Sequence, residues 1–95
     1  MAWFVYMLRC GDGSLYTGCT DDVQRRLQVH RSGKGAKYTR SRLPLELAYR
    51  EEVPDRSAAL RREAAIKKMT RQEKLRLIKQ AEELERTEEQ EKGSL

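Results

Sequence analysis

The sequence predicts a small α/β domain of order ββαβαα, in which a three-stranded antiparallel sheet is flanked by helices. Three observations favour this fold: a glycine-rich turn joins two short β-prone segments, capping residues precede apolar helical patterns, and 95 residues is the length of one ordinary domain. The prediction divides the chain into a domain over residues 1–80 and an acidic helical extension over residues 81–95, whose end is expected to fray.

The first two strands are predicted to form a β-hairpin, with a third strand further along the chain. Trp3–Arg9 and Ser14–Cys19 are β-prone, and the turn residues Gly11–Gly13 lie between them. The third strand is expected between Pro44 and Pro54, because apolar residues alternate there with polar or small ones. Those alternating positions are Leu45, Leu47 and Tyr49.

The length of the hairpin loop decides where two tyrosines lie. A three-residue loop places Tyr6 opposite Gly18, so that Tyr6 and Tyr16 share one face of the sheet as diagonal neighbours roughly 7–8 Å apart. A loop of two or four residues would send the two phenols to opposite faces. Because it has no side chain, Gly18 is expected to leave space over Tyr6 for a ligand. The plainer interpretation is that both aromatic rings belong to the core.

Three helices are predicted from capping residues and apolar periodicity. The first starts at Asp21, with Gln24 reaching back to close a capping box, and it ends near Ser32-Gly33. The second runs from Asp55 to about Met69, and the third starts at the capping box Thr70–Glu73. The apolar faces are Val23, Leu27 and His30 on the first helix, and Leu75, Ile78, Ala81 and Leu84 on the third.

Charge is distributed unevenly along the chain. Residues 1–80 carry 18 Lys and Arg against 9 Asp and Glu, a net charge of +9, whereas residues 81–95 carry 2 against 6, a net charge of −4. A basic body of this kind favours a nucleic-acid partner. No apolar run approaches the ~20 residues that span a bilayer, no secretory signal pattern is present, and two cysteines are too few for a disulfide framework. We therefore expect a cytoplasmic protein without a membrane partner.

Residues 31–42 are predicted to form a nucleic-acid-binding loop. This segment holds five basic residues, two glycines and one tyrosine, and no acidic residue. Cations can neutralise phosphates and a tyrosine can stack on a base, although a solvated flexible loop is the alternative. The predicted contact residues are Arg31, Lys34, Lys37, Tyr38, Arg40 and Arg42, together with Lys67 on the second helix.

Glu63 is expected within the apolar stripe of the second helix. On a helical wheel, Ala59 and Ile66 lie on one side of it, and apolar residues lie on the other. An unpaired carboxylate there would cost several kcal/mol, so Glu63 must be paired, neutralised, placed at a cleft or bound to a cation. An i, i+4 ion pair with Lys67 is the plain alternative to metal binding.

Arg26 and His30 lie four residues apart on the first helix, so their side chains are expected to point to the same side. An arginine in this position can hold a phosphate, and a histidine can transfer a proton near neutral pH. The alternative is a solvated arginine beside a core histidine. We expect Arg26 and Glu63 to converge with Tyr6 and Tyr16 on one concave surface of the sheet.

Four segments carry these residues in a fixed order: VYML, LYTG, QRRLQVH and LRREAAIKKM. Together, over residues 3–80, they resemble the GIY-YIG nuclease superfamily. They are most similar to its small standalone members and to the N-terminal domain of an excision-repair nuclease subunit. The two motif tripeptides are degenerate, because Val5 replaces the first Gly, Met7 the final Tyr, and Thr17 the Ile.

The resemblance implies a metal-dependent endonuclease that hydrolyses DNA phosphodiester bonds with Mg²⁺ or Mn²⁺, in a structure-directed way and in DNA repair or recombination. It implies Glu63 as the metal ligand and, as catalytic residues, Tyr6, Tyr16, Arg26, His30 and Glu63. Tyr6 is the general base if Arg26, the metal and Lys67 lower the pKa of its phenol from about 10; otherwise His30 is. The alternative function is a non-catalytic nucleic-acid-binding module. RNA remains open as a partner, as does a protein bound by the acidic tail.

Overall fold

A three-stranded antiparallel sheet lies at the centre of the fold. In the computed structural model, the backbone is described for residues 2–93 and the side chains through residue 84. The strands are β1 (Trp3–Arg9), β2 (Leu15–Thr20) and β3 (Glu46–Val53), and β1 is central in the order β2-β1-β3. Both strand pairs are antiparallel. The predicted α/β fold with a small antiparallel sheet is confirmed.

The hairpin has the predicted register. Tyr6 pairs with Gly18 and Leu8 pairs with Tyr16. The backbone N–H of Cys10 donates to the carbonyl oxygen of Ser14 at 2.9 Å and closes the three-residue loop. Tyr6 and Tyr16 therefore lie on the same face of the sheet.

The described residues form four helices. Their bounds are α1 (Val23–Arg31), α2 (Lys37–Arg40), α3 (Arg56–Lys67) and α4 (Arg71–Gly93). The single turn α2 lies inside the segment predicted as a loop, and α3 ends two residues before the predicted Met69. The element order otherwise follows the predicted ββαβαα.

The start of α1 lies one residue beyond its predicted position. Asp22, rather than Asp21, is the N-cap, and its carboxylate accepts from the backbone N–H of Arg25 at 3.1 Å. Gln24 is then the second helical residue, so it does not occupy the third position that a capping box requires. The predicted inward face is confirmed, because Val23, Leu27 and His30 are all buried.

The other two long helices begin as predicted. Asp55 caps α3 by accepting from the backbone N–H of Ala58 at 2.8 Å. At α4, the backbone N–H of Thr70 donates to the Glu73 carboxylate at 3.1 Å, and the Glu73 N–H donates to the Thr70 hydroxyl at 3.2 Å. This reciprocal capping box satisfies two backbone donors that helix formation leaves without partners.

The two faces of the sheet pack against different helices. The face covered by α3, here the α3 face, has the buried core residues Val5, Met7, Tyr49, Ala59, Ile66 and Ile78. The face covered by α1, here the α1 face, has the buried core residues Tyr6, Leu8, Cys10, Leu27 and Leu45. Because neighbouring residues of a strand point to opposite faces, β1 contributes alternately to the two cores.

The third strand changes face near its middle. The sequence predicts Leu45, Leu47 and Tyr49 on one face, but the pairing with β1 shifts between Met7 and Leu8. Leu45 and Leu47 consequently pack on the α1 face, whereas Tyr49 packs on the α3 face. The predicted single-face alternation is wrong because the β-bulge inserts one residue into β3.

The last helix continues beyond the sheet into the acidic extension. The α4 backbone reaches Gly93, and Leu84 is 67% exposed. The remaining side chains and residues 94–95 lie outside the described residues, so the boundary at residue 80 and the frayed tail stay predictions. Within residues 2–93, no helix combines the length and the apolar character needed to cross a membrane.

Candidate active site

Tyr6 and His30 form a buried hydrogen-bonded pair on the α1 face. The Tyr6 hydroxyl lies 2.9 Å from His30 Nε2. Tyr6 is 3% exposed and His30 is 0% exposed. The centre of the sheet supplies the phenol, and the inward face of α1 supplies the imidazole. His30 is therefore a core histidine whose ring nitrogen contacts one of the two motif tyrosines.

Thr39 holds the second ring nitrogen of His30. The distance between His30 Nδ1 and Thr39 Oγ1 is 2.9 Å, and the Thr39 hydroxyl donates to the carbonyl oxygen of Ala36 at 2.9 Å. Thr39 lies in α2 and is 0% exposed. The sequence reasoning missed this residue, because neither periodicity nor a motif distinguishes it from its exposed basic neighbours.

Two glycines allow close approach to this pair. A Cβ on Gly35 would overlap Nδ1 of His30, and a Cβ on Gly18 would overlap the phenol of Tyr6. The expectation that Gly18 leaves space for a ligand is wrong, because the hydroxyl of Tyr6 itself fills that space. Both glycines are required by packing against their neighbours rather than by an unusual backbone angle.

The ring of Tyr16 also contacts His30. The two ring centroids are 5.3 Å apart at an interplanar angle of 61°, an edge-to-face arrangement. Tyr16 is half-buried, and its other aromatic neighbour is Tyr38 at a centroid distance of 5.9 Å. The structure thus brings Tyr6, Tyr16 and His30 together, as the hairpin register and the inward face of α1 predict.

Arg42 contacts both Tyr38 and the hairpin turn. The Arg42 guanidinium lies 3.9 Å from the centroid of the Tyr38 ring, and its Nε donates to Asp12 at 3.0 Å. Its Nη1 also donates to the backbone carbonyl of Tyr38 at 2.8 Å. A base stacking on this side of the Tyr38 ring would therefore compete with Arg42, whose Nε and Nη1 are already engaged. These contacts indicate that Arg42 and Tyr38 have a structural role, which the sequence did not reveal.

Burial and Arg26 determine the protonation of the Tyr6–His30 pair. Burial raises the pKa of Tyr6 to about 12, although the neighbouring Arg26 guanidinium acts in the opposite direction. Burial also lowers the pKa of His30, and the positive charge of Arg26 lowers it further. At neutral pH the pair is therefore a phenol and a neutral imidazole. Without a bound metal, Arg26 does not offset the effect of burial, and the pKa of the phenol stays high.

Glu63 lies on the helix that covers the α3 face. Ala59 and Ile66 are 0% exposed, whereas Leu60 is 48% exposed. Glu63 therefore borders the buried stripe of α3 instead of lying in its middle, as the helical wheel had suggested. The Cys19 thiol that hydrogen-bonds to Glu63 also interacts electrostatically with Tyr6, so Glu63 approaches the phenols near β2, and its convergence with them on one surface stays a prediction.

The Glu63 carboxylate is paired. Lys67 Nζ lies 2.8 Å from Glu63 Oε1, as the i, i+4 spacing predicts, and the two side chains are 54% and 18% exposed respectively. Burial raises the pKa of Glu63, but the Cys19 thiol and the Lys67 ammonium outweigh this effect and hold it below its usual range. Lys67 also interacts electrostatically with Tyr16, which links the two faces across the edge strand β2.

The basic segment divides into anchored and free cations. Lys34, Lys37 and Arg40 are exposed, and their side chains have no partner within the described part of the chain. Arg31 Nε donates to a backbone carbonyl oxygen at 3.3 Å, and Arg42 is held as described above. Three of the five predicted cations thus remain available to phosphates without breaking an internal contact.

Residues 2–76 match the family model for the GIY-YIG catalytic domain. The chain belongs to the GIY-YIG family. The resemblance seen in its motifs is therefore confirmed, and the degenerate tripeptides do not place the chain outside the family.

The GIY-YIG chain is similar to small relatives of nearly the same length. It is 61% identical to a UPF0213 protein of Streptococcus sanguinis, over 81% of this chain and 88% of the relative. It is 58% identical to a UPF0213 protein of Syntrophus aciditrophicus, over 81% and 90%. A solution NMR structure of a protein from E. faecalis matches with a TM-score of 0.60 and 42% identity, covering 86% of this chain and 88% of that one. The UPF0213 structure from Bacillus halodurans matches with a TM-score of 0.54, 47% identity and coverages of 83% and 84%.

The residues around Glu63 fit the divalent ion that GIY-YIG membership implies. The described residues contain no group of three or more His, Cys, Asp or Glu suited to a metal. Mg²⁺ does not need such a group, because it binds through one or two carboxylates and keeps several waters. Glu63 retains 18% exposure, and the more exposed Lys67 can move aside into solvent. The donor set therefore fits a water-rich Mg²⁺ or Mn²⁺ site with Glu63 as its protein ligand.

Proposed function

We propose that this GIY-YIG domain is a divalent-metal-dependent endonuclease that hydrolyses DNA phosphodiester bonds. The observation that supports this best is the hydrogen bond between Tyr6 and His30, with the half-buried Arg26 beside it. A phenol joined to a neutral imidazole can take up a proton, and a guanidinium can stabilise phosphate charge. The free cations Lys34, Lys37 and Arg40 supply a surface for the nucleic-acid backbone.

The Tyr6–His30 pair is the proposed general base. His30 is fully buried and its Nε2 contacts the Tyr6 hydroxyl, so in this proposal a proton reaches His30 through that hydroxyl. The oxygen of a water molecule forms the new bond to phosphorus as its proton passes to Tyr6 and the phenol proton passes to His30 Nε2. The bond from phosphorus to the leaving oxygen breaks, and that oxygen takes a proton from solvent. This relay needs no free phenolate, which a pKa of about 12 makes scarce at neutral pH.

Three charged residues complete the proposed chemistry. Arg26 lies beside Tyr6 and stabilises the negative charge that develops on the phosphoryl oxygens. Glu63 would hold the Mg²⁺ or Mn²⁺ ion, which when bound supplies Lewis-acid stabilisation of the same charge. Lys67 would then leave Glu63, and its electrostatic interaction with Tyr16 near the β2 edge supports a contact with the DNA backbone there.

We propose a structure-directed rather than a sequence-directed activity, in DNA repair or recombination in the cytoplasm. Lysine and arginine contacts to phosphates position a nucleic acid without reading its sequence. The three free cations are of this kind, and Tyr38, the aromatic residue among them, is already packed against Arg42. An RNA substrate and a protein bound by the acidic tail are weaker extensions of the same proposal.

A non-catalytic nucleic-acid-binding module is the second candidate function. The ion pair between Glu63 and Lys67 favours it, because the pair neutralises the carboxylate without a metal. In that case the Tyr6–His30 hydrogen bond is only a core contact. The two functions differ in whether bound DNA is cut.

The test is a cleavage assay on linear, nicked, flapped and branched DNA with Mg²⁺, with Mn²⁺ and with EDTA, alongside an RNA version of each substrate. We expect cleavage that requires the metal and favours a non-linear DNA. Tyr6→Phe should reduce the rate by at least about 10²-fold, the lower end of a general base contribution, and should leave DNA binding intact. Salt-sensitive binding without cleavage in any metal would establish the binding module instead.

A further inference from the structure

We propose that Thr39 is a positioning residue that fixes the tautomer of His30, so that Nε2 carries the lone pair that receives the Tyr6 proton. The Thr39 hydroxyl has one proton, and this proton is donated to the carbonyl oxygen of Ala36 at 2.9 Å. Its contact with His30 Nδ1 at 2.9 Å must then use the threonine oxygen as acceptor, which places the imidazole proton on Nδ1. A neutral imidazole has one N–H, so Nε2 is the acceptor for the Tyr6 hydroxyl at 2.9 Å.

The opposite tautomer would prevent the proposed proton transfer. A proton on Nε2 would point at the Tyr6 oxygen, which would become the acceptor and could not pass its own proton to His30. Thr39 would then have to donate to Nδ1 and leave the carbonyl of Ala36 without that hydrogen bond. The Ala36 carbonyl would keep the backbone N–H groups of Thr39 and Arg40 as donors, so the opposite tautomer loses one of three hydrogen bonds at this oxygen, and because Thr39 is 0% exposed water does not replace it.

Contacts on both sides of Thr39, at Gly35 and at Arg42, fix the position of its segment. Gly35 lets the chain pass so close to His30 that a Cβ would overlap the ring. Beyond α2, the salt bridge of Arg42 with Asp12 and the hydrogen bond from Gly11 N to the Arg42 carbonyl at 2.7 Å attach the segment to the hairpin turn. The backbone that presents Thr39 is therefore attached at both ends.

A hydroxyl is an unusual orienting group for a histidine base. The charged or titratable groups facing His30 are Tyr6 from β1, Tyr16 from β2 and Arg26 from its own helix. Among the described residues no carboxylate contacts the ring, whereas a carboxylate or backbone carbonyl is the common partner of Nδ1–H. Thr39 fixes the tautomer without adding a negative charge to the core. The catalytic consequence rests on the proposed function, but the tautomer does not.

The tautomer can be measured directly, because His30 is the single histidine of the chain. The ¹⁵N chemical shifts of its imidazole should show the proton on Nδ1 in the full-length wild-type protein near pH 7.5. Thr39→Val keeps the shape and removes the acceptor, so it should transfer population to the Nε2–H tautomer. Thr39→Ser keeps the hydroxyl and should retain the Nδ1–H form.

Thr17→Val is the matched control. Thr17 is a second buried threonine, 3% exposed, but its hydroxyl oxygen has no hydrogen-bond partner among the described residues. The control should leave the tautomer and the cleavage rate unchanged. Thr39→Val should slow metal-dependent cleavage by at least about tenfold, within the ~10²–10⁴-fold that a general base supplies in total, and Thr39→Ser should restore most of the rate.

The outcomes separate this inference from the proposed function. An Nε2–H tautomer in the wild-type protein would overturn the role of Thr39 whether or not the protein cuts DNA, and it can be detected even if Thr39→Val does not fold. A folded Thr39→Val protein with the wild-type tautomer would also overturn it. An Nδ1–H tautomer that shifts in Thr39→Val, in a protein that cuts none of the substrates, would support the inference and reject the endonuclease.

Discussion

The hydroxyl oxygen of Tyr6 lies 2.5 Å from the point that a Cβ on Gly18 would occupy, and the ring carbon Cζ lies 2.7 Å from it. Both distances are far shorter than an unstrained contact between heavy atoms. The Tyr6 phenol on β1 thus packs directly against the Gly18 backbone on β2 while its hydroxyl is hydrogen-bonded to His30. Any side chain at this position must move the phenol or separate the two strands.

Gly18→Ala is therefore expected to destabilise the fold and displace Tyr6 from His30. Overpacking of this kind typically costs about 1–3 kcal/mol, to be measured as a lower midpoint of urea unfolding. Tyr6→Phe removes the atom in closest contact, so the double variant should lose less stability than the sum of the two single variants. Additive losses would show that the hydroxyl oxygen is not the atom that excludes a side chain at position 18, because Phe keeps the ring carbon Cζ.

Glu63→Gln separates a metal ligand from a structural ion pair. The substitution removes the charge but keeps the size of the side chain, so metal-dependent cleavage should fall by several orders of magnitude. Stability should change by less than about 1 kcal/mol, because Lys67 is more than half exposed and solvent screens the lost pair. DNA binding in EDTA should persist or rise slightly.

Glu52→Gln is the matched control for this experiment, since Glu52 is exposed on β3 and the substitution removes the same charge. It should leave cleavage and stability unchanged. A Glu63→Gln protein that cuts DNA at the wild-type rate would remove Glu63 from the mechanism. If the Glu63→Gln protein loses stability but still cuts DNA, the only role of Glu63 is its ion pair with Lys67.

Local chemistry made much of the fold predictable. The hairpin register follows from a three-residue loop, and the starts of α3 and α4 follow from Asp55 and from the Thr70–Glu73 pair. The shift from Asp21 to Asp22 was not predictable, because two adjacent aspartates offer equivalent caps. The bulge in β3 was also not predictable, because the alternation from Leu45 to Tyr49 predicts that these residues share one face. Only the pairing with β1 shows the shift.

The candidate site was predictable only where a single element determines the direction of a side chain. Strand alternation brings Tyr6 and Tyr16 together, and helix periodicity turns His30 inward. Whether Glu63 reaches the phenols was not predictable, because periodicity gives its position on α3 but not where α3 lies on the sheet. Thr39 depends on a contact between two segments nine residues apart, which no sequence pattern indicates.

Binding to DNA should depend steeply on salt, and three residues should account for much of the slope. Each phosphate contact contributes about 0.9 to the slope of log affinity against log salt concentration. Replacing Lys34, Lys37 and Arg40 by alanine should therefore reduce the magnitude of the slope by up to the contribution of about three phosphate contacts. The slope is measured by fluorescence anisotropy from low to moderate salt. The reason is that these exposed cations have no internal partner among the described residues.

A triple variant of two other lysines and one other arginine is the charge-matched control. Lys68, Arg71 and Lys79 are also exposed, but they sit at the end of α3 and along α4, away from the Tyr6–His30 pair. Their replacement lowers the net charge equally and should change the slope less. Equal effects of the two triple variants would show that DNA responds to net charge and not to the basic segment near α2.

Stability should fall as the pH drops below about 6.5, because of His30. Burial and then Arg26 lower the pKa of His30 below its ordinary value of 6.5, so the unfolded state binds a proton first as the pH falls. The stabilising contribution of the neutral imidazole is therefore complete above about pH 6.5 and is lost as the pH falls through the lower folded-state pKa. The carboxyl groups with lowered pKa values, Asp12, Glu63 and Glu73, act in a separate window below about pH 4.5.

Urea unfolding at intervals between pH 5 and pH 7.5 measures this effect, and an NMR titration of the single histidine gives the folded-state pKa independently. His30→Gln removes the titrating group, so its stability should vary little with pH across the same interval, even though its absolute value is lower. The proposed proton acceptor must be neutral, so the cleavage rate of the wild-type protein should decline over the same acidic range that protonates His30. A folded-state pKa above 6.5 would reverse the sign of the stability change and would contradict the burial of His30.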